Sequence, residues 1–386
     1  MSDEVDVAIV GAGVAGLCLA RALLARGYEG TVLLLDGARD DDELRTLSFW
    51  CEAPCALDDL VRHRWRRLVV ADADGGARTL PLASHTYQTV FFADLQRAVK
   101  DALRADPRHR VIDGRLTALD EDAEGVTLSV GDRTLRARWV FDSRFRRAEL
   151  SVASTPHHLL WQRFHGLAVR APREVFDPSA AVFLDFRGGL PAGTAFAYLL
   201  PYSPREALVE LVTLAPLDAE TTLRRYLASV HGVTDVEVLD REAGASPMTD
   251  LPFEALAGPR LRRIGIPAGM LKPSTGYAVT RILADSEVLA DALCRGVSPG
   301  VRPPARALYR FLDGVFLTLW ARWPSRMPGI FAALFARVPA DVVLRFLDER
   351  ASWRELLTLV SRLPLGPFVG ALWVWLGRRL PFGRRT

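Results

Sequence analysis

The chain has 386 residues, 49% of them hydrophobic and 25% charged, a composition that fits a globular protein of two or three domains and excludes a disordered one. A formal net charge of +3 gives no case for a nucleic-acid partner. The four cysteines (Cys18, Cys51, Cys55 and Cys294) form neither a disulfide framework nor a zinc spacing, so free thiols in a reducing cytosol and no metal site are expected.

In chain order, "VDVAIV", "GAGVAG" and "LCLARALLARG" read as strand, turn and helix, and "TVLLLD" as the next strand, a βαβ unit at the start. That apolar start breaks at glycines and lacks a basic leader, so no secretory signal is expected. "HTYQTVFFADLQRAVKDAL" reads as a short strand and a helix. Residues 109–144 alternate apolar and polar with glycine turns, a run of short strands, and residues 158–215 are β-rich. "TTLRRYLASVHG" reads as a helix, and a long helix is expected over about 275–295. From about residue 303 the chain becomes helical, apolar and rich in Trp, Phe and Arg, with prolines cutting it into pieces too short to span a bilayer.

Gly11, Gly13 and Gly16 form G-x-G-x-x-G directly after a strand and opening a helix. The first permits the tight turn, the second admits a pyrophosphate to the backbone, and the third lets helix and strand pack closely. Asp36 ends the second strand, where a carboxylate accepts from ribose hydroxyls. The unit serves NAD or FAD. Arg45 after the second strand and the late "GIPAG" favour FAD. At that late segment many flavoproteins place an Asp for the ribityl chain, whereas here Ile266 stands.

Over nearly its whole length the sequence resembles the FAD-containing lycopene β-cyclases. The resemblance rests on "RTLSFW", "FDSR", "FDPSAAVFLDFR", "AFAYLLPYSPREALVE", "GMLKPSTGYAVTRI" and "LRFLDE". It implies an α/β protein with a Rossmann-like FAD domain of the glutathione-reductase or hydroxylase type, an inserted β-sheet substrate domain and a helical C-terminal cap. The expected division is 1–75, 90–150 and 258–300 for FAD, 76–89 and 151–257 for substrate, and 301–386 for the cap. It also implies a reduced FAD, with NADPH as reductant, that is not turned over, and lycopene or a similar polyene as substrate. Gly269, Met270, Lys272, Gly276 and Tyr277 of the signature segment are then expected at the flavin. A helix beginning near Thr275–Gly276 would aim its positive end at the ring, and Lys272 would add a charge if it is not simply a solvated loop lysine.

Cyclising a polyene end requires an acid, a shaped apolar pocket, groups that stabilise a cation, and exclusion of water. The resemblance gives the acid to Glu210, set in "LVELV", where apolar neighbours favour a raised pKa. Asp185 in "LDFR" is a candidate partner acid or a salt-bridge mate of Arg187. The sequence departs from the family at two places: Leu47 replaces a Trp, and Leu211 replaces a second acid after Glu210. His157, His158 and His165 are expected as surface or core residues. Three rivals stay open: an NADPH- and oxygen-using hydroxylase, a membrane-associated flavin protein without activity, and a cyclase of another terpenoid. The C-terminal pieces place Trp320, Trp323, Trp353, Trp373 and Trp375 beside Arg322, Arg326, Arg378, Arg379, Arg384 and Arg385. Trp and Arg at the border of apolar stretches suit the headgroup level, so a cytoplasmic, peripheral membrane protein is expected.

Overall fold

The structure is a computed structural model that describes residues 4–37, 45–147, 150–153, 155–255, 257–300 and 307–379. Arg384 and Arg385 lie outside the described residues. The N-terminal βαβ unit forms as its pattern requires: β1 (Glu4–Val10), α1 (Val14–Ala25) and β2 (Val32–Asp36), with β1 and β2 parallel. β8 (Arg110–Asp113) extends the parallel sheet beyond β2, and β11 (Arg133–Asp142) flanks β1 on the other side. The first half of β11 pairs antiparallel with β10 (Val126–Val130), which pairs with β9 (Leu116–Glu121). The second half pairs parallel with β17 (Leu261–Arg263). A distant segment thus closes the nucleotide sheet at the carboxyl ends of β1 and β11. Helix α1 buries nearly its whole circumference, because α2 (Phe92–Ala105) and α4 (Val279–Cys294) pack on it from outside.

The second sheet runs β16 (Glu237–Thr249), β12 (Leu159–Arg170), β15 (Glu206–Thr213), β14 (Ala195–Pro201), β13 (Ala181–Asp185), β5 (Arg67–Ala71) and β6 (Ala77–Pro81). The expected division is redrawn here. Residues 67–75, assigned above to the nucleotide unit, contain β5, which joins the second sheet in parallel with β13. β3 (Thr46–Glu52) and β4 (Val61–Trp65) pair with β7 (His85–Phe91) in a separate three-stranded sheet. Side chains of "RLVVA" that would be stranded at an edge of the nucleotide sheet are instead covered: Leu68 and Val70 are buried in the second core.

Both faces of the second sheet are covered, so β15 loses the usual alternation: every residue but Glu206 and Glu210 is buried. One face, with Val209, Leu211, Ala197 and Leu199, packs on α3 (Ala219–His231), which Asp218 caps and Gly232 ends in a left-handed turn. The other face, with Leu208, Val212, Phe196 and Phe183, meets Trp50 and Tyr87 of the small sheet and the C-terminal helices. Those helices are α5 (Ala307–Arg322), α6 (Met327–Arg337), α7 (Ala340–Leu347), α8 (Trp353–Arg362) and α9 (Leu365–Arg379). Among the described residues no single helix is long and apolar enough to cross a membrane, while α8 and α9 together reach that length but bend by 104°.

Candidate active site

Three segments converge on the start of α1. At Gly11 (φ 98°) a Cβ would stand 2.4 Å from Ser143 Oγ, which donates to the Val10 carbonyl at 2.8 Å. A Cβ on Gly16 would lie 2.0 Å from the Gly11 carbonyl oxygen, so only glycine lets the helix approach the turn. Gly13 caps α1 without any side-chain bond, and the space where its Cβ would stand is open. At Gly265, with φ 71° and ψ −139°, a Cβ would stand 2.7 Å from the Ala15 Cβ, so the late segment lies close against the first turn of α1. Gly269 (φ 76°) closes a short 3-10 turn over Ile266–Ala268, and the Met270 N–H returns to the Gly265 carbonyl while its side chain enters the core around α1. Asp36 accepts from Lys100 at 2.6 Å. Arg45 stacks on Phe92 at the head of β3. Free backbone N–H groups at a glycine cap with open space beside it are what a pyrophosphate requires, so these residues fit a dinucleotide.

The remaining signature residues make contacts of their own. Gly276, at φ 77°, is incompatible with a helix start, and α4 begins only at Val279. A Cβ at Gly276 would meet the Gln162 amide oxygen at 2.2 Å, so the turn packs against β12. Tyr277 turns its ring into an aromatic cluster, 4.5 Å from Trp50 and 6.1 Å from Phe183, and its hydroxyl bonds that of Tyr198. Lys272 is neither a solvated loop residue nor a free cation. It is 1% exposed, and its amine bonds Asp313 at 2.8 Å and Glu349 at 3.2 Å. Glu349 also takes Arg281, and the neighbouring Asp348 accepts from Trp50 Nε1 at 2.9 Å and from Thr280 at 2.7 Å. The two most family-specific stretches, "GMLKPSTGYAVTRI" and "LRFLDE", supply Lys272, Thr280, Arg281, Asp348 and Glu349 of this buried lattice, and α5 adds Asp313. Isolated buried charges of this kind are costly, so each depends on its mates.

Glu210 lies on β15 opposite Tyr198 of β14 and Gly166 of β12, and Gly166 in turn lies opposite Glu242 of β16. The four residues form one row across the sheet, on the face toward Trp50 and Tyr87. With no side chain at Gly166, the side chains of Glu210 and Glu242 face each other across it. A Cβ there would sit 2.7 Å from Glu242 Cγ. Burial, then the Glu242 charge, pushes the Glu210 carboxyl well above the usual carboxylate range. Burial raises Glu242 as well, but the Thr46 N–H and hydroxyl, at 2.8 and 3.0 Å, favour its ionised form. The proton of the pair therefore resides on Glu210. Burial also pushes up the Tyr198, Tyr202 and Tyr277 hydroxyls, which stay neutral.

Tyr198 and Tyr277 also line the end of an apolar cavity of about 310 Å³ roofed by α5–α9. Phe183, Phe196, Phe331 and Phe335 form its floor and walls. Val360, Leu365 and Val369 line it too yet are 44%, 54% and 51% exposed, so its mouth opens between α8 and α9.

Asp185 belongs to the opposite face. It is fully buried, clamped by Arg187 at 2.6 Å and by the Tyr226 hydroxyl at 2.8 Å on the α3 side, and does not partner Glu210. Leu211 points the same way, into the α3 core. A second acid at that position would not reach Glu210. Leu47 is half-buried against the core around α1. His158 is buried and His157 and His165 are half-buried; His157 and His158 lie near Asp250. Among the described residues no cluster could hold a metal ion. The Cys18, Cys51, Cys55 and Cys294 thiols are free. Sequence reasoning passed over Glu242, Trp50, Tyr198 and Lys100. A glycine in the middle of a long strand, Gly166, was the available signal that something approaches there.

Residues 6–372 match the family model described as "Lycopene cyclase protein". The chain is 28% identical to the lycopene beta-cyclase of Paracoccus sp. over 392 residues, covering 95% of this chain and 97% of that one. It is 26% identical to the lycopene beta-cyclase of Pantoea ananas, covering 96% and 98%. Among solved structures the fold is similar to a flavoprotein/dehydrogenase from Cytophaga hutchinsonii (TM-score 0.67, 13% identity, covering 97% of this chain and 99% of that one). It is also similar to a geranylgeranyl bacteriochlorophyll reductase-like protein from Thermoplasma acidophilum (TM-score 0.62, 14% identity, 97% and 100%) and to the halogenase PltM in complex with phloroglucinol and FAD (TM-score 0.61, 13% identity, 98% and 97%). The fold of two-layer flavoproteins and a family match spanning almost the full chain agree: this protein is a member of the lycopene cyclase family.

Proposed function

We propose that the chain is an FAD-dependent cyclase that closes a ring at the end of lycopene or a related linear carotenoid without net oxidation. The observation that carries this reading is Glu210: a carboxyl held protonated, beside a ring of aromatic side chains that ends an apolar cavity. Protonation of the terminal double bond by Glu210 leaves a cation. The faces of Trp50, Phe183, Tyr198 and Tyr277 suit that cation, and their neutral hydroxyls do not attack it. Gly11, Gly13, Gly16, Asp36 and the 265–270 turn would hold FAD, which in its reduced form would supply negative charge to the site, with NADPH needed only to reduce it. The test is incubation of the holoprotein with lycopene and reduced FAD. The expected product is a ring-closed isomer of unchanged mass, with NADPH consumed far below one per product. One NADPH per product, or oxygen uptake stimulated by substrate, would move the protein to the hydroxylases. Leu47, where the family has Trp, favours testing other linear terpenoids in the same assay.

We also propose that the protein works from the cytoplasm as a peripheral membrane protein, with the cavity mouth against lipid. Supporting this, Trp353 and Trp373 are each 71% exposed on the helices that frame the mouth. Trp320, in contrast, is core, and Arg378 and Arg379 are engaged with the His157 carbonyl and with Asp250. The double variant Trp353→Ser with Trp373→Ser is therefore expected to stay folded. It should lose at least half of the wild-type co-sedimentation with anionic liposomes at low salt. Wild-type protein that ignores such liposomes would end the proposal.

A further inference from the structure

We propose that Glu242 is the proton partner of Glu210, keeping the acid loaded before reaction and drawing a proton back onto it afterwards. This rests on the reading of Glu210 as the acid. Glu242 acts through Glu210 and is a positioning residue.

The argument is one of geometry. Thirty-odd residues separate the two glutamates in sequence, yet both pair in register with Gly166, from opposite sides of β12. Glycine is the one residue type that leaves the gap between them empty, since a Cβ at Gly166 would collide with Glu242 Cγ and crowd Leu208. The backbone N–H and the hydroxyl of Thr46 both donate to Glu242, anchoring it and favouring its anion. The groups that face Glu210 are Glu242 on β16, Tyr198 on β14, and the Tyr87 and Tyr202 hydroxyls; those facing Glu242 are Glu210, Thr46, Asp240 and Tyr202. The balance set by these groups is one anion and one neutral acid.

The cycle then closes on a single site. The Glu210 proton passes to the terminal carbon–carbon double bond, whose electron pair forms the new C–H bond. The resulting cation is attacked by a second double bond, closing the ring. For that moment two carboxylates face each other across Gly166, which makes Glu210 a stronger base than an isolated glutamate. The ring cation loses a proton to it, the C–H electron pair becomes the product double bond, and Glu210 is neutral again. One proton enters and one leaves, as an isomerisation requires.

The sign of the pH effect follows. Glu210 is active while protonated, so activity falls as pH rises through its raised pKa. Glu242→Gln removes the neighbouring charge and lowers that pKa, so the alkaline limb of the rate profile should move down by about one pH unit or more. The rate should drop roughly tenfold on the falling alkaline limb and less on the acid side of it, with KM changed less than about twofold. Glu242→Asp, which keeps the charge, should restore the wild-type limb. Thr46→Val, which weakens the anion of Glu242, should lower the rate without lowering the limb. This variant keeps the test available if Glu242→Gln does not fold. Infrared difference spectra of protein labelled with 13C-glutamate give a readout independent of turnover. A protonated-carboxyl band present at neutral pH should vanish in Glu210→Gln and titrate at lower pH in Glu242→Gln. An unmoved profile and band in Glu242→Gln, with Glu210→Gln inactive, would overturn the role of Glu242 alone. Full activity in Glu210→Gln would overturn the reading of the acid itself.

Discussion

Glu210→Gln is expected to reduce ring closure at least about a hundredfold, in line with loss of a general acid, while leaving FAD content and thermal stability close to wild type. The amide has nearly the carboxyl's shape and can donate to Glu242, so the row across β14, β15, β12 and β16 survives. What is lost is the proton. The nucleotide turn belongs to the other sheet, which β15 does not join. The measurement is product per enzyme under reduced-flavin conditions, paired with the flavin absorbance of the purified variant. Near-normal turnover would place the acid elsewhere. The structure makes Glu242 the successor, because Asp185 is locked by Arg187 and Tyr226 on the far face of the sheet.

Gly13→Glu is expected to abolish FAD binding outright without unfolding the protein. Gly13 has an ordinary φ of −79°, and nothing lies within 4 Å of the place its Cβ would take, so the polypeptide tolerates the change. A carboxylate there would fill the approach to the α1 N–H groups and repel the phosphates. Gly16→Ala makes the control, because its Cβ would strike the Gly11 carbonyl and the fold itself should suffer. Flavin retained through purification of Gly13→Glu would show that the pyrophosphate lies elsewhere.

The nucleotide end is legible in the sequence because its signals are local. Gly11, Gly13, Gly16 and Asp36 sit within one βαβ unit, and each has a backbone reason that a single window of sequence discloses. Glu210 is visible only in part. A lone carboxyl in an apolar strand reads equally as an outward-facing edge residue, and it is the family resemblance that turns it inward. Glu242 is not visible at all, since it meets Glu210 only through the pairing of three strands, and the surrounding Asp240, Arg241, Ala243 and Gly244 give no strongly apolar context. Lys272 and Tyr277 stand out by their segment, but their contacts are not the expected ones. Their partners Asp313, Glu349 and Tyr198 come from distant parts of the chain, and tertiary packing decides which way each side chain turns.

The ionic lattice around Lys272 also sets an order of events during synthesis. The turn at 265–270 leaves the ribosome with Lys272 close behind it, but the carboxylates that pair with it, Asp313 and Glu349, are made later. Until then Lys272 lacks the two carboxylates it is buried against, and the segment that presses on α1 is not yet held from that side. The cofactor pocket is therefore finished by the cavity roof, not before it. A nascent chain halted between residues 300 and 345 should hold its βαβ unit yet release flavin freely.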